Sequence, residues 1–260
     1  MCGIVGFIGG EQAAPILLEG LSRLEYRGYD SAGLAVYDPH KGLQVSKAKG
    51  RLKALYDLTH GGADVKGTMG VGHTRWATHG EPNDINSHPQ VSQSGRVAVV
   101  HNGIIENYLR LKEFLTEKGV RFVSDTDTEV VAQLVDYYYK GDLLDAVAQV
   151  LKVIEGAYAL GIVCADEPDK LVAARKDAPL LLGYGEGCNF LASDVTALVK
   201  YTRNVSYMED GEVAVLTREG IQCYDSLMRP VRKEISRVEW EIDAAEKGGY
   251  PHFMLKEIME

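Results

Sequence analysis

The run Ile4-Val5-Gly6-Phe7-Ile8, apolar, β-branched and bounded by glycines, predicts a buried strand at the start of the chain. Over Glu11 to Tyr26, Ile16, Leu17, Leu21 and Leu24 fall on one face at helical spacing, and Arg27-Gly28-Tyr29-Asp30-Ser31 ends that helix with turn residues. Ala32–Tyr37 and Leu43–Lys47 read as a strand pair around the turn Asp38-Pro39-His40-Lys41-Gly42. Leu52, Leu55 and Leu58 suggest a short helix closed by Gly61-Gly62.

Met69–Arg75 predicts a strand that opens into a long polar loop from Trp76 to Ser94, and so long an irregular segment is usually functional. Arg96–His101 returns as a strand, and Asn102-Gly103, a pair common in tight turns, leads towards a helix through Tyr108, Leu111 and Leu115. Thr126-Asp127-Thr128-Glu129 has the form of a capping box for a helix carrying Val130, Val131, Leu134 and Val135. A further helix fits Leu143–Ile154. Strands then follow at Tyr158–Cys164, Lys170–Ala174, Leu180–Tyr184, Asn189–Ala192, Val205–Tyr207, Glu212–Thr217 and Ile221–Tyr224. Strands, helices and strands again suggest an α+β class: antiparallel sheets with helices on the outside.

Composition narrows the function classes. A 260-residue chain that is 45% hydrophobic and 25% charged suits one large domain or two small ones. The formal net charge of −9 argues against nucleic acid and against an anionic membrane surface. No apolar run approaches the ~20 residues of a membrane span, and the start lacks the basic and apolar regions of a signal peptide. Cys2, Cys164, Cys188 and Cys223 are scattered without a CxxC pair. Reduced thiols and a cytoplasmic location are therefore expected.

Cys2 stands directly behind the initiator methionine. Loss of Met1 would leave a thiol and a free α-amine on one residue, and an amine of pKa near ~8 suits the deprotonation of a thiol around neutral pH. By position alone Cys2 also fits a small buried apolar residue. Polar clusters recur where elements end: Arg27 to Ser31, His73 to Gly80, His101 to Gly103, and Ser124 to Glu129. His73, His79, His88 and His101 match no zinc or non-haem iron spacing, so no metal and no cofactor are expected.

Met1-Cys2-Gly3-Ile4-Val5-Gly6, Arg23 to Gly33 with its central Tyr26-Arg27-Gly28-Tyr29-Asp30-Ser31, Gly72-His73-Thr74-Arg75-Trp76-Ala77-Thr78-His79-Gly80, His101-Asn102-Gly103-Ile104-Ile105-Glu106-Asn107-Tyr108 and Ser124-Asp125-Thr126-Asp127-Thr128-Glu129 resemble, in order, the class II glutamine amidotransferases. Within that class the chain is similar to the glutaminase half of the glucosamine-6-phosphate synthases. The resemblance runs the length of the chain, including the tail Tyr250 to Ile258.

It implies an N-terminal nucleophile hydrolase fold, a four-layer αββα sandwich, and hydrolysis of L-glutamine to glutamate and ammonia. It implies Cys2 as nucleophile, with Asn102 and the Gly103 N–H as oxyanion hole. Arg75 would clamp the substrate α-carboxylate, Thr78 and His79 would finish that pocket, Asp127 would pair with the ammonium, Arg27 would steady the terminal residue, and Trp76 would close the site. Residues 1–240 would form the glutaminase domain and 241–260 a link to a sugar-phosphate isomerase half. The implied partner is that half; the chain alone would be a monomer and the full enzyme a homodimer. A glutaminase of the purine-pathway or asparagine-synthetase kind, or a non-catalytic domain on the same scaffold, are the other readings. The second predicts loss of Cys2, Arg75, Asn102, Gly103 or Asp127, and all five are present.

Overall fold

β1 (Gly3–Ile8) is buried along its whole length because it pairs on both sides, antiparallel to β4 (Met69–Arg75) and to β10 (Asn189–Ala192). The computed structural model describes residues 2–77 and 80–239, and of Arg27 the backbone alone. The whole of the expected link, residues 241–260 with Tyr250 to Ile258 in it, lies outside them, as does the last residue, 240, of the expected domain.

β1 belongs to a sheet completed by β2 (Ser31–Asp38), β3 (Gly42–Lys49), β9 (Leu181–Tyr184), β11 (Asn204–Tyr207) and β15 (Ser236–Arg237). The order is β15-β11-β9-β10-β1-β4-β2-β3. The second sheet contains β5 (Gln90–Val91), β6 (Val97–Ile105), β7 (Gly156–Cys164), β8 (Leu171–Lys176), β12 (Val213–Leu216), β13 (Ile221–Tyr224) and β14 (Pro230–Val231), ordered β14-β13-β12-β8-β7-β6-β5. All strand pairs within the two sheets are antiparallel.

Three apolar cores separate four layers. Val5, Phe7, Leu34 and Val36 on one face of the first sheet pack under Leu17, Leu21 and Leu24 of and beside α1 (Ala13–Ser22), and under Leu52 and Leu55 of α2 (Leu52–Leu58). Val97, Val99, Leu160 and Ile162 of the second sheet pack under α3 (Tyr108–Glu117), α4 (Thr128–Tyr138) and α5 (Leu143–Leu151). Ile4, Ile8 and Val71 of the first sheet meet Ala98, Val100, Ala159 and Ala173 of the second. Each fully buried Leu, Ile or Phe here contributes roughly 2 kcal/mol over exposure. The result is the expected α+β arrangement of two antiparallel sheets with helices on their outer faces.

Two local expectations beside the site change. Asn102-Gly103 is not a turn: β6 runs through it, with Asn102 opposite Ala159 and Gly103 opposite Tyr158, as far as Ile105 opposite Gly156. Ladder pairing with the neighbouring strand overrides the local turn preference of the dipeptide. The capping box is also rearranged. Thr126 Oγ1 accepts from Glu129 N–H at 3.4 Å, but the Glu129 carboxylate accepts from Val123 and Ser124 N–H instead, the latter at 2.6 Å. The buried acid thereby ties down the loop before α4.

Candidate active site

The two-residue period of a strand decides which side chains meet. In β1, Ile4 and Ile8 face between the sheets, and Cys2 shares their parity. In β4, Met69 and Val71 face the same way, so His73 and Arg75 follow them. In β6, Ala98 and Val100 face the first sheet, and Asn102 continues that row. Four polar residues thus gather at one end of the space between the sheets; His73 is fully buried there, while Cys2, Arg75 and Asn102 open with Trp76, Gly103 and Asp127 onto a cavity of about 500 Å3.

The Cys2 Sγ accepts a hydrogen bond from Trp76 N–H at 3.2 Å. Burial pushes the Cys2 thiol above its usual value; the Trp76 N–H pulls it back, with Arg75 also lowering it and Asp30 raising it. The net shift favours the protonated thiol, so a base is needed to make the thiolate. Asn102 Nδ2 donates to the Cys2 carbonyl at 3.0 Å, while its Oδ1 lies 2.9 Å from His73 Nε2. Gly103 has φ +129 and is exposed to the cavity, next to Asn102 in the chain.

Arg75 is 4% exposed and donates through Nη2 to Gly80 O at 3.2 Å. Burial lowers its pKa, with Asp30, Cys2 and Asp127 opposing, and a guanidinium stays charged through such a shift. Asp127 lies just before α4, 4% exposed, and its Oδ2 accepts from Ile105 N–H at 2.8 Å. His101 does not neutralise it: burial lowers the His101 pKa, and its Nδ1 lies 2.8 Å from Thr128 Oγ1 but 3.9 Å from Asp127 Oδ2. A buried guanidinium and a buried carboxylate therefore face one cavity, a pair of charges suited to the two ends of an α-amino acid.

Trp76 is half exposed and its ring lies 5.6 Å from that of Tyr29, tilted by 50°. Thr78, His79 and the side chain of Arg27 lie outside the described residues. Two anchors of the Trp76 loop carried no role in the sequence reading. The Asp30 carboxylate accepts from Ala77 N–H, and Lys47 Nζ donates to Ile85 O at 2.8 Å. Burial lowers Lys47 to about 8. Asp30 stood in a quoted motif; nothing in the sequence marks Lys47, which is one of several lysines on an edge hairpin.

His73, His88 and His101 form a buried row, with ring centroids 4.4 Å apart for the first pair and 6.5 Å for the second. Among the described residues no group of three His, Cys, Asp or Glu is placed to hold a metal ion. Burial takes His73 from its usual 6.5 down to about 3 and His88 well below its usual value. The unfolded chain binds these protons near pH 6.5 and the native chain does not, so stability is complete above that pH and declines as pH falls towards 3. His73 alone costs about 2 kcal/mol between pH 7 and pH 5, at 1.36 kcal/mol per pKa unit. The Tm should then be at least about 4 °C lower at pH 5; a Tm that does not change in that interval would contradict neutral buried imidazoles.

The chain matches the glutamine amidotransferase domain model over residues 42–245, and it belongs to that family. It is 59% identical over 261 aligned residues to the isomerizing glutamine–fructose-6-phosphate aminotransferase of Caldanaerobacter subterraneus subsp. tengcongensis, the alignment covering 100% of this chain and 42% of the relative. The enzyme of the same name from Thermus thermophilus is 55% identical, again over 100% of this chain and 42% of the relative. The chain thus spans less than half the length of these relatives. Among solved structures it is similar to the glutamine phosphoribosylpyrophosphate amidotransferase of B. subtilis, with TM-score 0.76 and 29% identity over 89% of this chain and 50% of that one. The four-layer sandwich is accordingly the N-terminal nucleophile amidotransferase fold.

Proposed function

We propose that the chain hydrolyses L-glutamine to glutamate and ammonia through a thioester on Cys2. The observation that carries this reading is the meeting, in one cavity, of a half-buried thiol, the Asn102 amide and the buried Arg75 and Asp127 charges. Glutamine offers one match for each: a carboxylate for Arg75, an ammonium for Asp127 and a side-chain amide carbon for Cys2.

After loss of Met1, the Cys2 α-amine takes the thiol proton and Sγ bonds to the amide carbon. The oxyanion forms against Asn102 Nδ2 and Gly103 N–H, groups that are in position before the charge develops. The amine then gives its proton to the departing nitrogen, the C–N bond breaks, and ammonia leaves. Water, deprotonated by the same amine, cleaves the thioester and releases glutamate. Trp76 would cover the site, Thr78 and His79 would finish the carboxylate pocket beside Arg75, and Arg27 would steady the terminal residue.

In the full-length protein the ammonia would pass to fructose-6-phosphate on a second, isomerase half, giving glucosamine-6-phosphate in the cytoplasm. Identities of 54 to 59% to four of the aminotransferases, against 29% to the phosphoribosylpyrophosphate enzyme, support this over a purine-pathway role. In this reading residues 1–240 are the glutaminase domain and 241–260 begin the link. The chain alone is a monomer, and the dimer contacts of the full enzyme lie in the other half.

The test is an assay of ammonia and glutamate from glutamine, run with intact-mass measurement before and after a glutamine-like diazo-ketone. Loss of one methionine, ammonia release and a single adduct on Cys2 are expected; a demethionylated chain that released no ammonia would overturn the reading. The charge pairing has its own check. Asp127→Asn keeps an acceptor for Ile105 N–H but removes the charge, and should raise the KM for glutamine about 100-fold with kcat changed far less. An unchanged KM would remove Asp127 from substrate binding.

A further inference from the structure

Asn102 is held from two sides. Its Nδ2 donates to Cys2 O at 3.0 Å and its Oδ1 faces His73 Nε2 at 2.9 Å; the same Nε2 lies 3.0 Å from the His101 carbonyl. A backbone carbonyl only accepts, so Nε2 must carry the proton. A proton on Nδ1 instead would turn a lone pair towards two oxygens, and Nδ1 is buried and finds no partner among the described residues. The tautomer is therefore set by the main chain of His101, and it in turn sets the Asn102 amide.

We propose that His73 is a positioning residue for glutamine hydrolysis, whose Nε2–H locks the Asn102 amide with its NH2 towards Cys2. The inference deepens the glutaminase reading and rests on it. An asparagine amide turns about a soft torsion and has nearly the same shape when flipped. Flipped, Asn102 would set its oxygen against the Cys2 carbonyl and towards the developing oxyanion, turning a donor into a repulsive acceptor. In the observed lattice of bonds that flip also sets an NH2 against the His73 N–H, so it loses a bond on each side.

The other neighbours of His73 leave it little freedom. It lies in β4 opposite Ile4 of β1 and Gly33 of β2, with its ring 4.4 Å from that of His88. The site thus places a rigid, neutral N–H behind a soft amide. The residue stands two positions before Arg75 in the same strand, so one strand orients both the oxyanion donor and the carboxylate clamp.

The test compares His73→Leu, His73→Asn and His73→Gln with the wild-type chain. Gln carries its amide nitrogen about as far out as Nε2; Asn reaches only as far as Nδ1, and Leu has no donor. His73→Leu and His73→Asn are expected to lower kcat about 30-fold, the range of one misaligned oxyanion donor, with the KM for glutamine within about threefold because substrate binding uses Arg75 and Asp127. His73→Gln should recover most of the lost kcat. Alkylation of Cys2 by iodoacetamide needs no oxyanion hole, so its rate should stay within about twofold in all three.

Wild-type kcat in the Leu or Asn variant overturns the inference. So does a parallel loss of kcat, glutamine affinity and alkylation in all three variants, which is what a merely structural histidine predicts. Should His73→Leu not fold, judged by its thermal unfolding, the polar His73→Asn variant decides alone. Wild-type activity measured alongside separates the two readings: a wild-type chain that released no ammonia would overturn the glutaminase assignment itself, whereas an active wild type with a fully active His73→Asn overturns only the role of His73.

Discussion

Cys2→Ala is expected to stop ammonia release from glutamine, lowering kcat by at least about 10,000-fold, while the protein stays folded. The chemistry needs a sulfur that bonds to the amide carbon, and alanine offers none. The α-amine, Asn102 and Gly103 remain, so binding and electrostatic stabilisation persist and leave only the small residual rate typical when a nucleophile alone is removed. Stability should change by less than about 1 kcal/mol, because the Cys2 side chain is not in the apolar core and, among the described residues, the hydrogen bonds of its Sγ go to the Trp76 main chain. The ladder that holds β1 is made by main-chain groups from Gly3 onward.

The matched control is Cys188→Ala, a partly exposed thiol in the loop before β10, which should keep wild-type kcat. Measured turnover and thermal unfolding of both variants decide the matter. Activity retained in Cys2→Ala would end the thioester mechanism, and activity lost in Cys188→Ala would point to a different nucleophile.

Gly103→Ala carries the next largest effect, and for a reason of backbone geometry. A φ of +129 is a conformation that residues with a Cβ rarely adopt, and forcing one there costs of order 1–3 kcal/mol. The added Cβ would lie 2.0 Å from the Ala157 carbonyl oxygen and 2.7 Å from its carbon. Both are main-chain atoms of the paired strand β7, so no side chain can swing away. The Asn102–Gly103 peptide must turn or β6 must part from β7, and in the proposed mechanism either movement takes the Gly103 N–H off the oxyanion.

The expected result is kcat lowered at least about 100-fold, the loss of one oxyanion donor or more, with a KM for glutamine within a few fold. Unfolding should show the strain as well, at about 2–4 kcal/mol of lost stability. A variant with the lost stability but full kcat would mean that Gly103 is present only to let the two strands approach. Steady-state kinetics and chemical denaturation of the same preparation distinguish the two.

Much of this architecture was readable from periodicity. The Met69–Arg75 strand, the Asn189–Ala192 strand and the helix through Tyr108, Leu111 and Leu115 stand where apolar spacing puts them, because the side-chain pattern and the local backbone preference agree there. Where they disagree the local signal fails. Asn102-Gly103 has the composition of a hairpin turn, but nine consecutive pairs between β6 and β7 hold it extended. Gln90–Val91, read as part of a polar loop, becomes a short strand because Val99 and Ala98 of β6 present a free edge to it.

The residues of the candidate site were named from resemblance across five separated motifs, and no single one was decisive alone. The sequence by itself determined which chemical groups are available: one cysteine at position 2, an arginine, an asparagine–glycine pair and an aspartate at a helix start. It also determined, through strand parity, that Cys2, His73 and Arg75 each share a face with apolar residues of their own strand. Only the tertiary structure decided that the faces of β1, β4 and β6 oppose one another, so that residues 100 positions apart come within a hydrogen bond, as Asn102 and Cys2 do at 3.0 Å. The sequence carries periodicity within a strand but no register between strands; register comes from long-range pairing and core packing. That is also why His73 reads as one more histidine in a motif until its Nε2 is seen behind the Asn102 amide.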